Sequence, residues 1–465
     1  MTFQLILRYF CDHFRIFLQS NLLIFFLLKD KMWSKLNARV LRNIYLGLCF
    51  VVLFSAFSAL VSVQKTITAS IQHDNPSYKT DAYISLGIVY TSMAIGMWLS
   101  PGIIAKIGSK CAMIIGSFCN TIYMAAFYTE QSFWIYLCAA ICGFGGSIMW
   151  TGQANYIVLN SEIGKVHSGI GVFWILYQSS HFLGNLIIYF EFNHENQSVD
   201  KAMRTRIISV FVFFAAMATL MMCFIRPPLR HKEQKKIIRY PCTEIVKSSQ
   251  ILFSPRMLLL VVTMACVGLH LSFLSILSSS MGFSKYLSDN SKKLAPLCGL
   301  LQGFGEIMGG ILSIVVGGKR ICNLKPLITW GVICNLACYI IAFLALPNDS
   351  PHGFTDNLPL KVLPIAFIIM EPILAGMGDA CLHTELYSGI GAMYPNDSSS
   401  AFAVFKFIRS IATASSFYYS KCLGLHAQLV IIISTSLVSW ILYHFVQWFL
   451  IRPKPSQDEE MVECK

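Results

Sequence analysis

The chain has 465 residues, of which 55% are hydrophobic and only 13% are charged, with a formal net charge of +13. A soluble globule carries about 25% charged residues, so the composition excludes a water-exposed domain and predicts a multi-pass protein of the lipid bilayer. The basic excess does not indicate nucleic-acid binding, because neither interleaved aromatic and basic residues nor zinc-finger spacing accompanies it.

Apolar runs long enough to cross a bilayer, about 17–25 residues each, recur twelve times along the chain. Backbone N–H and C=O groups find no water in hydrocarbon, so each run is predicted to be a helix. The predicted spans lie near residues 43–64, 83–105, 111–128, 133–158, 168–190, 205–225, 256–280, 294–317, 326–346, 361–388, 399–420 and 425–450.

The segment before the first span, residues 1–31, is apolar but interrupted by charges such as Arg8 and Asp12. It lacks the clear basic start and small-residue cleavage site of a signal peptide. We interpret it as an interfacial segment or as an extension upstream of Met32, with an additional span as the weaker alternative.

The longest polar break, from Arg226 to Arg256, is rich in Lys and Arg. The positive-inside rule makes this loop cytoplasmic, and an even number of spans then puts both termini in the cytoplasm. Plasma membrane and endomembrane both fit this orientation. The chain is predicted to begin with a cytoplasmic or interfacial segment (1–42) and a first six-helix half (43–225). A basic cytoplasmic linker (226–255), a second six-helix half (256–450) and a cytoplasmic tail (451–465) follow.

Two glycosylation sequons, at Asn196 and Asn348, fall in loops predicted to lie outside. Pro351 follows the second sequon and is expected to lower its use. A third sequon, at Asn396, falls on the cytoplasmic side and is expected to stay unmodified.

An internal repeat relates the two halves. Residues 143–157 read GFGGSIMWTGQANYI and residues 376–390 read GMGDACLHTELYSGI, with a threonine at the same place in each. A Val-Phe pair then follows in both halves, at nearly the same offset of about half the chain. Two matches in sequence indicate duplication, so we predict an all-α membrane protein of the major facilitator superfamily fold, with twelve transmembrane helices in two pseudo-symmetric six-helix halves.

At corresponding positions of the repeat, charged residues and histidine occur in the second half only. Small or aromatic residues of the first half correspond to charged or titratable residues of the second: Gly146 to Asp379, Trp150 to His383, Gly152 to Glu385, Trp174 to Lys406 and Tyr177 to Arg409. A charge at mid-membrane costs at least about 2.5–3.5 kcal/mol and normally faces a partner or water.

Estimated depths in the bilayer, from the helical rise of about 1.5 Å per residue, predict two ion pairs, Asp379–Arg409 and Glu385–Lys406. His383 is predicted to share a face with Asp379. Two interpretations remain open at this point. The charges either form a buried lock between neighbouring helices, or they line a solute or proton site in a central cavity.

Other polar residues are weaker cavity candidates. Glu306 lies in a glycine-rich run that favours close helix packing over transport. Gln153 and Asn155 either line a cavity or bond across helices, and His181 is interpreted as an isolated helix-contact histidine. We predict neither a catalytic site nor a cofactor or metal, since His383-Thr384-Glu385 is not the His-Glu-x-x-His pattern of a metalloenzyme.

Three runs together, GFGGSIMWTGQANYI, GMGDACLHTELYS and SSAFAVFKFIRS, resemble the Unc-ninety-three-like (ion-channel regulatory protein) family of the major facilitator superfamily. The resemblance covers roughly residues 42–448 and implies a twelve-span fold. It also implies varied functions: one member is a regulatory subunit of a two-pore potassium channel, another escorts nucleic-acid-sensing receptors out of the endoplasmic reticulum, and others are orphan transporters.

The chain departs from the wider superfamily in the loop between the second and third spans. Transporters of that superfamily usually carry Gly-x-x-x-Asp-Arg-x-Gly-Arg-Lys there. Aligned on Gly108, this chain keeps Lys106 and Lys110 but has Pro101 for the leading glycine and Ala105 for the aspartate. Loss of that aspartate weakens the case for conventional gating at these gating-loop candidates.

Two main functional hypotheses follow. The first is secondary transport of an unknown small solute or ion, coupled to protons through Asp379, His383 and Glu385. The alternative is a non-transporting regulatory or chaperone subunit whose partner is an ion channel, such as a potassium channel, or a trafficking receptor. An intramembrane enzyme is the least favoured class.

Overall fold

The computed structural model describes residues 38–160, 166–193, 199–228, 241–288, 291–317, 325–394 and 397–450. The predictions for residues 1–31, for the sequons at Asn196 and Asn396 and for the tail 451–465 lie outside these ranges.

The described residues are almost entirely helical. Nine of their helices are long and apolar enough to cross a membrane, so the chain is a multi-pass membrane protein. The helices are α1 Ala38–Asp74, α2 Ala82–Ala126, α3 Ser132–Asn160, α4 Val166–Asn193, α5 Lys201–Cys223, α6 Pro241–Leu252, α7 Pro255–Phe283, α8 Leu294–Gly317, α9 Lys325–Ala345, α10 Ile365–Met393, α11 Ser398–Ser420 and α12 Leu425–Leu450.

Helix α2 contains two of the predicted spans. It begins at an N-cap, Asp81, whose side chain accepts hydrogen bonds from the backbone N–H groups of Tyr83 and Ile84. It is interrupted at Gly108, where φ is 81° and ψ is 159°. This backbone conformation is essentially restricted to glycine. With α2 counted twice and the short linker helix α6 left out, the described helices account for the twelve predicted spans.

Each half has its own apolar core, and a third cluster joins the halves. One cluster lies wholly between Leu46 and Ile225, and another wholly between Ile251 and Val446. The joining cluster includes Tyr83 and Phe182 of the first half, packed with apolar residues of the second half. Its interfaces are α2 against α11 and α4 against α8.

Ion pairs outside the core fix the ends of several helices. Arg204, near the start of α5, has only 1% of its side chain exposed and contacts Asp74 at 2.6 Å and Glu130 at 3.3 Å. It therefore ties α5 to the end of α1 and to the connection before α3. Near α6, Lys247 contacts Asp397 at 3.2 Å, which connects the linker helix to the start of α11.

Candidate solute-binding cavity

A cavity of about 130 Å³ lies between the two halves, at the middle of the spanning helices. Its wall is built from α1, α2, α3 and α4 of the first half and from α7, α8, α10 and α11 of the second. These are corresponding helices in the two repeats, so the duplicated units meet face to face around one central space.

The repeat read from the sequence reappears on the cavity wall. Four of the five corresponding pairs have both members on it: Gly146 with Asp379, Trp150 with His383, Trp174 with Lys406, and Tyr177 with Arg409. The fifth pair, Gly152 and Glu385, has neither member there. The correspondence between the halves therefore extends to which side of each helix faces the centre.

The first half supplies an aromatic surface. The rings of Trp150 and Trp174 are stacked, with centroids 6.0 Å apart and an interplanar angle of 15°. Tyr177 meets Trp150 edge to face at 5.1 Å, and Phe54 meets Tyr177 at 5.0 Å in the same geometry. Such offset and edge-to-face arrangements are the favoured ones for aromatic groups. The rings therefore stabilise one another's positions on the cavity wall.

The second half supplies the charged surface. Glu306, Asp379, Lys406 and Arg409 all lie on its side of the wall. Glu306 has 1% and Asp379 has 7% of its residue surface exposed. The ammonium group of Lys406 lies 5.2 Å from the ring centroid of Trp150, a cation–π distance. One charge of the second half is therefore held against the aromatic surface of the first.

The two predicted ion pairs are wrong. Within the described ranges, neither Asp379 and Arg409 nor Glu385 and Lys406 come within the 4.0 Å of an ion pair. Glu385 instead accepts a hydrogen bond of 2.8 Å from the hydroxyl of Tyr443 on α12. Glu385 follows Asp379 by six residues, which at 3.6 residues per turn places it on a different side of α10.

His181 makes a contact between helices, as predicted, but its partner is an ionisable residue of the cavity wall. Its Nδ1 atom, on α4, lies 3.4 Å from Oε1 of Glu306 on α8. Both residues line the cavity, and their contact joins the two halves. Oε2 of Glu306 is buried and has no hydrogen-bond partner among the residues that the structure describes. His181 follows Tyr177 by one helical turn, and this spacing is the signal that would have placed it on the wall.

His383 lies between aromatic rings on the cavity wall. Its ring lies 4.8 Å from that of Trp174 and 4.7 Å from that of Tyr387. The hydroxyl of Ser275 on α7 donates a 3.1 Å hydrogen bond to the carbonyl of Val61 on α1. Ring contacts and a helix–helix hydrogen bond therefore both join the two halves at the cavity wall.

Two further cavity candidates lie off the wall. Gln153 is buried in α3 away from the cavity. Asn155 donates a 2.8 Å hydrogen bond to the hydroxyl of Ser109, beside the break at Gly108. The structure thus places Glu306, Asp379, His383, Lys406 and Arg409 on the wall, and Gln153, Asn155 and Glu385 elsewhere.

The remaining candidates are on the periphery. Of the gating-loop residues, Lys106 is exposed and Lys110 is half-buried, on either side of Gly108. Asn348, a glycosylation candidate, is exposed, and its Oδ1 atom accepts a 2.9 Å hydrogen bond from the backbone N–H of His426 in the first turn of α12. Asn348 thus provides a hydrogen-bond acceptor for a backbone N–H group at the start of α12.

Solved structures with the same architecture define the class. The nucleoside transporter NupG matches with a TM-score of 0.60 at 12% identity, over 87% of this chain and 98% of that one. The xylose transporter XylE from E. coli, in a partially occluded inward open conformation, matches with a TM-score of 0.58 at 13% identity, over 88% and 97%. The fold is that of a major facilitator protein, as predicted.

Within that class the chain belongs to the UNC-93 family. A family model described as ion channel regulatory protein UNC-93 matches residues 73–444. UNC93-like protein MFSD11 of Xenopus tropicalis is 28% identical over 437 residues, covering 90% of this chain and 98% of the relative. UNC93-like protein 3 of Arabidopsis thaliana is 22% identical over 407 residues, covering 83% and 82%. The three motif runs resemble this family, and within it the domain-eleven-containing type of member. That resemblance is confirmed.

Proposed function

We propose that this protein is a secondary transporter of a small solute, which binds in the central cavity. The observation that supports this best is the composition of the wall. Corresponding helices of both halves converge on one space that holds two carboxyl groups, a guanidinium and an ammonium. Buried charges are costly to keep in a membrane and commonly mark a substrate or ion pathway.

The position of the cavity suits this function. Solute sites of secondary transporters lie near the bilayer midplane, at the interface of the repeats. The cavity occupies that interface, with lining residues from both halves. The two solved neighbours described above are named as transporters, which supports the same proposal.

We further propose that transport is coupled to protons. Carboxyl and imidazole groups bind and release protons, and four such residues line the cavity: His181, Glu306, Asp379 and His383. Glu385 is left out of this set, because its carboxyl group contacts Tyr443 away from the wall. The His181–Glu306 contact is suited to coupling, since it joins the two halves that must move against each other.

Uptake into proteoliposomes, measured with and without a pH gradient, tests the proposal. Asp379→Asn and Arg409→Gln are expected to abolish flux while leaving the amount of folded protein unchanged. Asp356→Asn and Arg206→Gln are matched controls, because they make the same chemical changes on exposed residues outside the cavity. Flux that survives Asp379→Asn and Arg409→Gln would refute a role for the cavity.

The regulatory alternative makes the opposite prediction. A regulatory subunit of a channel or receptor would co-purify with its partner irrespective of solute and would show no flux. It would also tolerate Asp379→Asn and Arg409→Gln as long as it folds. We also propose the orientation with α6 and both termini in the cytoplasm, which protease protection of tagged termini in sealed vesicles would check.

A further inference from the structure

We infer that the solute is a neutral zwitterion of amino-acid size that carries an aromatic ring. This inference rests on the proposed function, because it concerns the occupant of the same cavity. Three features of the wall carry it: charged groups that do not pair with one another, an equal number of positive and negative groups, and a ring surface opposite them.

The first feature is the lack of partners. Among the described residues, no carboxylate comes within the 4.0 Å ion-pair distance of Lys406 or Arg409, and no cationic side chain comes that close to Asp379. The Nε atom of Arg409 is buried and finds no hydrogen-bond partner in the described part of the chain. A buried charge is costly unless it is paired and hydrogen-bonded. The wall therefore presents a cation and an anion that a ligand can satisfy.

The second feature is charge balance. Two acidic side chains, Glu306 and Asp379, share the cavity wall with two basic side chains, Lys406 and Arg409. A singly charged solute would leave the cavity with an unbalanced charge, which a low-dielectric interior penalises strongly. A solute with one positive and one negative group leaves the net charge of the cavity unchanged and supplies a partner of each sign.

The third feature is the geometry of recognition. A guanidinium presents a planar fork of donors that matches a carboxylate, so Arg409 on α11 is suited to the carboxylate of the solute. Asp379, on α10, is suited to its ammonium group. Trp150, Trp174 and Tyr177 line the first-half wall, and aromatic surfaces of this kind favour packing with an aromatic side chain. Charge would thus be recognised by one half and the ring by the other.

Binding of three matched probes tests the inference. The purified full-length protein in detergent would be titrated with L-phenylalanine, with phenethylamine, which lacks the carboxylate, and with 3-phenylpropionate, which lacks the ammonium group. Both the thermal shift and tryptophan fluorescence would be followed. We expect L-phenylalanine to bind at least ~10-fold more tightly than either analogue, because each analogue leaves a buried charged group unpaired.

Two variants make the test specific. Arg409→Gln is expected to remove the preference for L-phenylalanine over phenethylamine, while the preference over 3-phenylpropionate remains. Asp379→Asn is expected to do the reverse. A merely structural role for these residues would weaken all three probes together. Thermal unfolding of each variant without ligand shows that it is folded.

Several results would overturn the inference: equal binding of the three probes, tighter binding of a singly charged one, or no binding of any. Its failure is distinguishable from failure of the proposed function. Flux of a different solute that depends on Asp379 and Arg409 would keep transport and reject the zwitterion. Selective binding of L-phenylalanine without any flux or counterflow would keep the zwitterion site and reject transport.

Discussion

Gly146 offers a way to fill the cavity without disturbing the fold. A Cβ atom built at this position has no neighbouring atom within 4 Å, and the residue lies on the wall beside the aromatic surface. The Gly146→Leu variant would therefore extend four carbon atoms into a space of about 130 Å³. Because glycine is a poor helix former, the substitution is expected to raise the stability of α3 by roughly 0.5–1 kcal/mol.

The effect on the solute is expected to be the opposite. Forcing extra methylene groups into an occupied space costs roughly 1–3 kcal/mol. At about 1.4 kcal/mol per tenfold change in affinity, the solute should bind about 5- to 150-fold more weakly to Gly146→Leu. Flux should fall to a similar degree at solute concentrations below saturation.

Gly310 provides a matched control away from the wall, and Gly143 provides a contrast at a crowded position of the wall. Gly310, on α8, also has no atom within 4 Å of a built Cβ but lies off the wall, so Gly310→Leu should change neither binding nor flux. At Gly143, one turn before Gly146, the built Cβ lies 2.0 Å from the carbonyl oxygen of Val89. Gly143→Ala would push α2 and α3 apart by about 1 Å and should lower thermal stability.

The assay combines apparent unfolding temperatures in detergent with solute binding and proteoliposome flux for all three variants. Wild-type binding and flux by a folded Gly146→Leu protein would show that the solute does not use this cavity. Loss of folding in Gly146→Leu, with Gly310→Leu intact, would contradict the open space that the structure shows around Gly146.

Two further substitutions test the fold. Gly108→Ala forces a side chain into a glycine-only conformation and should cost roughly 1–3 kcal/mol of folding free energy. Its unfolding temperature should therefore be lower than that of Gly310→Ala. An unchanged temperature would argue against the break in α2. Arg204→Ala leaves Asp74 and Glu130 without their buried cation and should destabilise the protein more than Arg206→Ala, whose exposed pair is worth about 0–1 kcal/mol. Equal losses from the two arginine variants would be inconsistent with a stabilising role of burial.

The fold was largely predictable because hydrocarbon constrains the chain strongly. Each apolar run had to be a helix, and the repeat of Gly-x-Gly and Val-Phe fixed the correspondence of the halves. Hydropathy could not place the break between two predicted spans, 83–105 and 111–128, at one residue. That depends on the backbone conformation of a single residue, Gly108, which has no hydropathy signature.

The candidate site was only partly predictable. The ion pairs were predicted from the depth of each residue in the bilayer, without asking which face of its helix each residue occupies. His383 follows Asp379 by four residues and shares its face, whereas Glu385 follows it by six and turns away. Matching depths alone wrongly joined Glu385 to Lys406. The contact of His181 with Glu306 was missed for another reason. A repeat relates α4 to α11, but only the packing of one half against the other brings α4 beside α8.

The charged groups and the Trp150–Trp174–Tyr177 surface lie on different halves of the cavity wall. This separation has a consequence for how solute preference can change within the family. Because the carboxyl, ammonium and guanidinium groups of the wall lie in the second repeat, exchanging Trp174 or Tyr177 of the first repeat for smaller side chains would alter which shapes are accepted without removing a charged group or the Trp150 ring beside Lys406. A hybrid that joins the first repeat of one relative to the second repeat of another would then inherit its size preference from one parent and its polarity preference from the other.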